Sequence, residues 1–328
     1  MINKLIKTTL ALSLAASVAY GANGARMNEI NGDVAKKYEK LLNDTLESKT
    51  GFAMSDGNGG INDAYAKRYG NKEDAQYDKD WTKTLDNLGF FGITNDAKLN
   101  SILKTSPQIA GFAPFNQLIY KKVGEDKTYI GHLDPATMLD IVGAKDKKAR
   151  EDFVAMFTSL DKWTQDEFGG TVKTSTFSAL PANPMMNFEI AFDRPEDLSE
   201  YIGTFQENFE AAFEDKKYII AGYKDFKETY EDLEMSFEEY DAFFVYSLCH
   251  FTFSYNIFNK GRPDTGVFAP CSMYMYVKKD AKTMVVGMPT LANWASIMNI
   301  KDTAKLEWIK KIDAEIISIM KSMGAKQI

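Results

Sequence analysis

The sequence predicts an α+β fold made twice: two tandem copies of an antiparallel sheet, each with helices packed on one face. Three observations predict it. The chain repeats itself, since Gly111-Phe112-Ala113-Pro114-Phe115 and the strand-like run to Lys122 return as Val267-Phe268-Ala269-Pro270-Cys271 and a run to Lys278. The offset of 156 positions (270 − 114) also pairs Lys104 with Lys260, Pro107 with Pro263, Gly131 with Gly287 and Glu151 with Glu307. A period that long exceeds a solenoid unit and marks two copies of one domain. Period-two alternation and helical stripes then recur in both copies. Finally, 328 residues with 45% hydrophobic and 13% aromatic side chains suffice for two cores.

The first 21 residues read as an export signal. Lys4 and Lys7 precede the short apolar segment Leu10 to Val18, and Ala19 and Gly21 supply the small residues of a cleavage site. The segment is too short to span ~30 Å of hydrocarbon, and no cysteine lies near the cut for lipid attachment. The mature chain is expected to start near Ala22 and to be periplasmic or secreted, with no stable membrane span.

The first copy, residues 27–168, opens with a helix from about Asp33 to Leu46. A polar, Gly-rich insert from Ser55 to Asp78 follows and reads as a flexible loop. Its last helix carries Phe153, Phe157, Leu160 and Trp163 inward. Residues 169–184, with Gly169-Gly170, Ser, Thr and two Pro, read as the linker.

The second copy, residues 185–328, is the more regular. Phe188, Ile190 and Phe192 share one face of a strand. Asp193-Arg194-Pro195-Glu196 signals a helix start, and Leu198, Ile202, Phe205, Phe209 and Phe213 mark the stripe behind it. Tyr218 to Tyr223 and Phe243 to Cys249 read as strands, with a short helix from Phe251 to Asn259. Met273 to Val277 and Thr283 to Val286 form a hairpin turning at Lys279-Asp280-Ala281. The closing helix sets Leu306, Ile309, Ile312, Ile316, Ile319 and Met323 inward. Together the elements predict an antiparallel sheet with helices on one face, repeated.

Charge narrows the partners. A formal net charge of −7 with no basic patch argues against nucleic acid. The acidic stretch from Glu228 to Asp241 reads as a solvated face. The expected partner is a small ligand or another periplasmic protein, with the two copies paired about a pseudo-twofold axis in a monomer. No cofactor motif is present; the absence of CxxCH rules out covalent c-type haem.

Tyr246-Ser247-Leu248-Cys249, then Pro263-Asp264-Thr265-Gly266, then Phe268-Ala269-Pro270-Cys271 give a strand ending in Cys, a short helix, and an apolar-Pro-Cys step into a hairpin. This layout resembles the domain of unknown function 302 family, clearly over Asn187 to Ile300 and more weakly over Asp33 to Trp163. The resemblance implies a compact α+β fold that pairs through its sheet, and no established reaction.

Only the second copy holds cysteines. Cys249 and Cys271 can form a structural disulfide, worth about 3 kcal/mol, or a thiol pair for redox or sulfur chemistry, in which one attacks and the other resolves. The positions offset by 156 hold Ile93 and Phe115, so the first copy stands without thiols. His250 beside Cys249 suggests a soft-metal set with Cys271, extended by Met273 or Met275, although adjacent ligands on a strand point to opposite faces. Any site is expected in the second copy, in a cleft marked by His250, Pro270 and Met273. Asp56 to Asp63 has the composition of a calcium loop but lacks its sixth-place Gly and its twelfth-place Glu, which is Lys67. With two histidines, His132 and His250, no Ser-His-Asp set can be assembled. The reading is a binding or interaction protein with a structural cysteine pair; the alternative is a thiol protein.

Overall fold

The computed structural model describes residues 22–328, so the expected export signal, residues 1–21, lies outside the described residues. The first half runs β1 (Ala22–Asn31), α1 (Ala35–Asp44), α2 (Leu46–Thr50), β2 (Ala53–Asn58), α3 (Ile61–Tyr69), β3 (Leu85–Thr94) and α4 (Asp96–Thr105). A 3-10 turn at Pro107–Phe112, β4 (Phe115–Lys122), β5 (Lys127–Leu133), α5 (Pro135–Ile141), α6 (Lys147–Phe168) and β6 (Thr171–Phe177) complete it. The second half runs β7 (Met185–Ala191), α7 (Leu198–Asp215), β8 (Tyr218–Asp225), α8 (Phe226–Asp232), β9 (Tyr240–His250) and α9 (Phe251–Ser254). It continues through a π-helical turn (Tyr255–Asn259), a 3-10 turn (Pro263–Phe268), β10 (Cys271–Lys278), β11 (Thr283–Pro289), α10 (Ala292–Ile297), α11 (Thr303–Ser322) and β12 (Lys326–Gln327).

The two sheets are the same sheet. Their strand orders, β2-β3-β4-β5-β1-β6 and β8-β9-β10-β11-β7-β12, correspond place by place, with every pairing antiparallel. The expected α+β fold of two similar halves is what forms. Local chemistry repeats with it. Asp146 caps α6 by accepting from the Ala149 amide, and Asp302 caps α11 by accepting from Lys305. Behind those caps, Phe153, Phe157 and Leu160, and then Ile309, Ile312 and Ile316, bury one stripe against each sheet. Both Ala-Pro bonds, Ala113-Pro114 and Ala269-Pro270, are cis.

Two expectations need correction. The segment read as a flexible insert contains β2 and α3, because Ile61, Tyr65 and Tyr69 form an apolar stripe once α3 has a partner surface. Residues 171–177 of the expected linker pair with β1 as an edge strand, so the join shortens to about 178–184.

The strand registers locate a further difference. Phe115 lies opposite Ile93, but Cys271 lies opposite Leu248. Leu248 is therefore the counterpart of Ile93, an offset of 155 (248 − 93), and Cys249 matches Thr94 rather than Ile93. The helix caps agree: Asn95 accepts from the Lys98 amide, and His250 from Phe253. Since the offset is 156 again at Lys104 and Lys260, the second half holds one extra residue between Phe253 and Lys260. The π-helical turn is where that residue goes, as its wider i→i+5 turn takes up one insertion without breaking the helix.

The halves grip each other reciprocally. From α3, Tyr65 donates to Ser254 Oγ (2.9 Å) and Tyr69 stacks on Tyr255 at 3.6 Å between centroids. The Tyr255 hydroxyl donates to Asp78 (2.9 Å). From β8 and α8, Lys224 pairs with Asp96 (2.9 Å), and the Ser236 carbonyl accepts from Asn100. Each half thus presses the same connection onto the same helix start of the other, the isologous pattern of a twofold pair.

Candidate functional site

Cys249 ends β9 and Cys271 opens β10, so the two are neighbours on adjacent strands. Register decides what they can do together. Cys271 lies opposite Leu248 and shares its face; Cys249, one residue on, takes the other face. Their surroundings agree. Cys271 feels the carboxylate of Asp313 on α11, whereas Cys249 meets the hydroxyl of Ser254 and lies near Tyr65 of the first half.

Both are free thiols. A disulfide needs facing Cβ atoms roughly 3.5–4.5 Å apart, and opposite faces deny that geometry. The expected structural bridge is not formed in the structure.

Electrostatics points the same way. Each side chain is partly open to solvent but ringed by apolar atoms. Burial pushes the Cys249 thiol up to about 11, against the opposing hydrogen bond from Ser254. Burial, with Cys249 and Asp313 nearby, pushes Cys271 up as well. Burial thus favours the protonated thiol at both positions, and the thiolate is the form that attacks or binds metal. Between them, Tyr218, Trp294 and Ile312 help close a cavity of about 20 Å³, scarcely more than one water needs.

The remaining expected site residues separate. His250 caps α9 with its Nδ1 accepting from Phe253 (3.2 Å), which leaves the proton on Nε2, and its ring meets Tyr218 edge-on at 5.0 Å. Burial lowers its pKa, although Glu315 opposes this. His250 lies on the face of Cys271, away from Cys249. Met273 and Met275 are wholly buried core on the helix face. Cys249, His250 and Cys271 all border one small cavity, but among the described residues no group of three or more His, Cys, Asp or Glu side chains is placed to hold an ion. In the first half, His132 is buried, with Nε2 2.9 Å from Asp161 and Nδ1 2.8 Å from the Leu133 carbonyl. It is a satisfied core histidine. The acidic stretch after Glu228 is largely exposed, as a solvated face should be.

Pro270 is the residue that leads to a site. Together with Cys249 and Ala269 it forms one wall of a cleft of about 320 Å³ that lies between the halves. The second half adds Ile219, Ile220, Phe251 and Ser254. The first half supplies the rest: Asp56, Gly57 and Asn58 from β2, Ile61 and Ala64 from α3, and Phe90 and Gly92 from β3. The cleft was expected within the second copy; it is shared, because α3 crosses to the partner half. Its volume sits at the lower end of small-ligand sites, and its lining is largely apolar with a few polar groups, as such sites usually are.

Ile219 is 48% exposed at the mouth, an apolar side chain held open on an edge strand. Asp56 is the cleft's one carboxylate, and burial raises its pKa. Neither histidine lines the cleft. Of the first-half residues, Asp56 to Ile61 stand out in the sequence only as a failed calcium loop, and Ala64, Phe90 and Gly92 carry no signal. The signal that would have found them is the apolar stripe Ile61, Tyr65 and Tyr69 hidden in a polar segment.

No family model and no curated protein matches the chain. Among solved structures, it is similar to the crystal structure of an uncharacterized conserved protein, DUF302, from Bacillus stearothermophilus. That match has 15% identity, covers 41% of this chain and 95% of the other, and has a TM-score of 0.33.

Proposed function

We propose that this chain is an exported small-molecule-binding protein that takes its ligand into the cleft between the two halves. The observation that carries the reading is the cleft itself, about 320 Å³ of largely apolar space whose walls come from both copies. A duplicated domain has little need to keep a hollow at its own interface, because filling it would add buried apolar area worth about 25 cal/mol per Å². An open apolar hollow therefore points to an occupant. The polar groups within it are a carboxylate, an amide, a hydroxyl and a thiol held protonated by burial. No nucleophile in it stands beside a histidine or other activated base, so binding is a better fit than covalent catalysis.

The test uses the neutral apolar fluorophore N-phenyl-1-naphthylamine. Saturable enhancement with one site per chain is expected. Ala64→Phe, which puts a ring into the cleft from a half-exposed helix position, should abolish it with the fold intact. Binding that survives both Ala64→Phe and Ala221→Phe, the latter at a residue that lines the cleft from β8, would place the probe elsewhere and end this reading. Export is checked separately by sequencing the N-terminus of the protein recovered from the periplasmic fraction. A start near Ala22 supports it, and an intact Met1 in the cytoplasm refutes it.

A further inference from the structure

We infer that the cleft selects a small amphiphile carrying a cationic amine, with Asp56 as the counter-ion at its mouth and the apolar walls holding the ligand body. The inference rests on the cleft being a ligand site and adds the class of ligand.

Three features of the geometry point to it. Among the described residues, Asp56 is the only charged side chain that lines the cleft. It is also uncommitted: among the described residues no Lys, Arg or His forms an ion pair with it, and its one side-chain hydrogen bond comes from the Ser55 hydroxyl at 3.3 Å. Lys224, whose charge reaches it, is already paired with Asp96 at 2.9 Å. Thirdly, the carboxylate has a seat made for it. It lies over Gly222 of β8, where a Cβ would come within 2.5–2.9 Å of its atoms. Gly222 is thus the residue that lets a carboxylate reach across from β2 to the opposite lip.

An unpaired, half-buried carboxylate at the rim of an apolar pocket is costly on its own. A ligand ammonium would offset that cost with charge-assisted hydrogen bonds. The same charge rejects carboxylates and phosphates. Beyond the mouth, Phe90, Phe251 and Ile61 supply apolar surface to an aryl or short alkyl body, with Arg68 already over the Phe251 ring at 5.3 Å. The formal net charge of −7 also favours the approach of cations over anions.

Three ligands of one shape test this: 4-phenylbutylamine, 4-phenylbutan-1-ol and 4-phenylbutyrate, each displacing N-phenyl-1-naphthylamine from the full chain. The amine is expected to bind about tenfold or more tighter than the alcohol, and the acid weakest. Asp56→Asn should remove the amine's advantage, so that the amine and the alcohol bind alike. Gly222→Ala, which displaces the carboxylate without removing it, should also weaken the amine selectively. If the amine and alcohol bind alike, or Asp56→Asn leaves the amine's advantage intact, the cation inference fails while the cleft reading stands. If none of the three displaces the fluorophore, or the fluorophore itself fails to bind in the cleft, both fail.

Discussion

The two faces of contact between the halves begin as equivalents and end differently. On one, α3 lays Ile61, Ala64 and Tyr65 against the start of α9. On the other, α8 lays Phe226, Thr229 and Tyr230, the same first, fourth and fifth helical positions, against the start of α4. The second contact is filled. Phe226 and Tyr230 are wholly buried, and Lys224 reaches Asp96 across the gap. The first is hollow, because Ile61 and Ala64 are smaller and Asp56 takes no ion-pair partner. A pseudo-twofold protein thus fills one contact and keeps a hollow beside its mate, which is itself fastened by Tyr65, Tyr69 and the Lys260–Asp78 pair; a symmetric dimer of one domain cannot do this.

The strongest way to break this comparison is to exchange the character of the two sites. Phe226→Ala should cost about 3–5 kcal/mol, the usual loss for a buried ring. Ile61→Ala, at a half-exposed position bordering an existing hollow, should cost about 1 kcal/mol or less. Urea unfolding curves read both. Phe226→Ala should also open a second hollow, detectable as added fluorophore capacity. Equal costs would mean that the two contacts are alike and the cleft no different from its mate.

A second prediction concerns the extra residue of the π-helical turn. Removing Asn256 should return that stretch to the plain helix of α4 and leave the second half folded. It would still turn Tyr255 away from Tyr69 and Asp78, costing roughly 2–3 kcal/mol for a stacked pair and a charged hydrogen bond. Removing Asn100 from α4, which has no residue to spare, should rotate the helix end by a quarter turn or more and destabilise the protein far beyond that. Comparable losses from the two deletions would refute the insertion.

The sequence carried the architecture well because the repeat could be counted. From Lys104 to Glu151 one offset held, and the 3-10 turn, the hairpin and the Asp146/Asp302 cap within it recur, while the Asp134 cap of α5 has no counterpart at α10. It failed where one residue was inserted, since a constant offset set Cys249 against Ile93 when the ladder sets it against Thr94. The site was harder to see for a different reason. Pro270 and Cys249 were visible, but Asp56 and Ala64 become neighbours of Pro270 only when the halves dock, and local periodicity says nothing about docking. The segment holding them looked like a loop because α3 buries its stripe in the other half rather than in its own.

Hydroxyl chemistry separates the two contacts more finely. Tyr65 donates to Ser254, while among the described residues the buried Tyr230 hydroxyl has no hydrogen-bond partner. Tyr65→Phe should cost about 1 kcal/mol, the net worth of a hydrogen bond. Tyr230→Phe should be neutral or slightly stabilising, because it removes an unsatisfied buried polar group. Differential denaturation of the two variants decides it. Equal losses would show that Tyr230 is bonded in solution and the filled contact is wetter than its packing implies.

The smallest expected effect belongs to the cysteines, and it separates the faces of one sheet rather than the two halves. If Cys249 and Cys271 point to opposite sides, an oxidant or a reductant should leave Tm unchanged, because no bridge exists to gain or lose. Alkylation by iodoacetamide should be slow at pH 7 for both. For Cys249 it should quicken roughly tenfold per pH unit toward about 11, where burial has placed its thiol. Cys249 lines the cleft and Cys271 does not, so bound N-phenyl-1-naphthylamine should protect Cys249 alone. Peptide mapping after labelling reads each site separately. A non-reduced Cys249–Cys271 cross-linked peptide, or a rate at neutral pH close to that of free cysteine, would restore the paired-thiol chemistry. Protection of Cys249 without protection of Cys271 would leave the second half with two unrelated thiols, one against the helix layer and one facing the ligand.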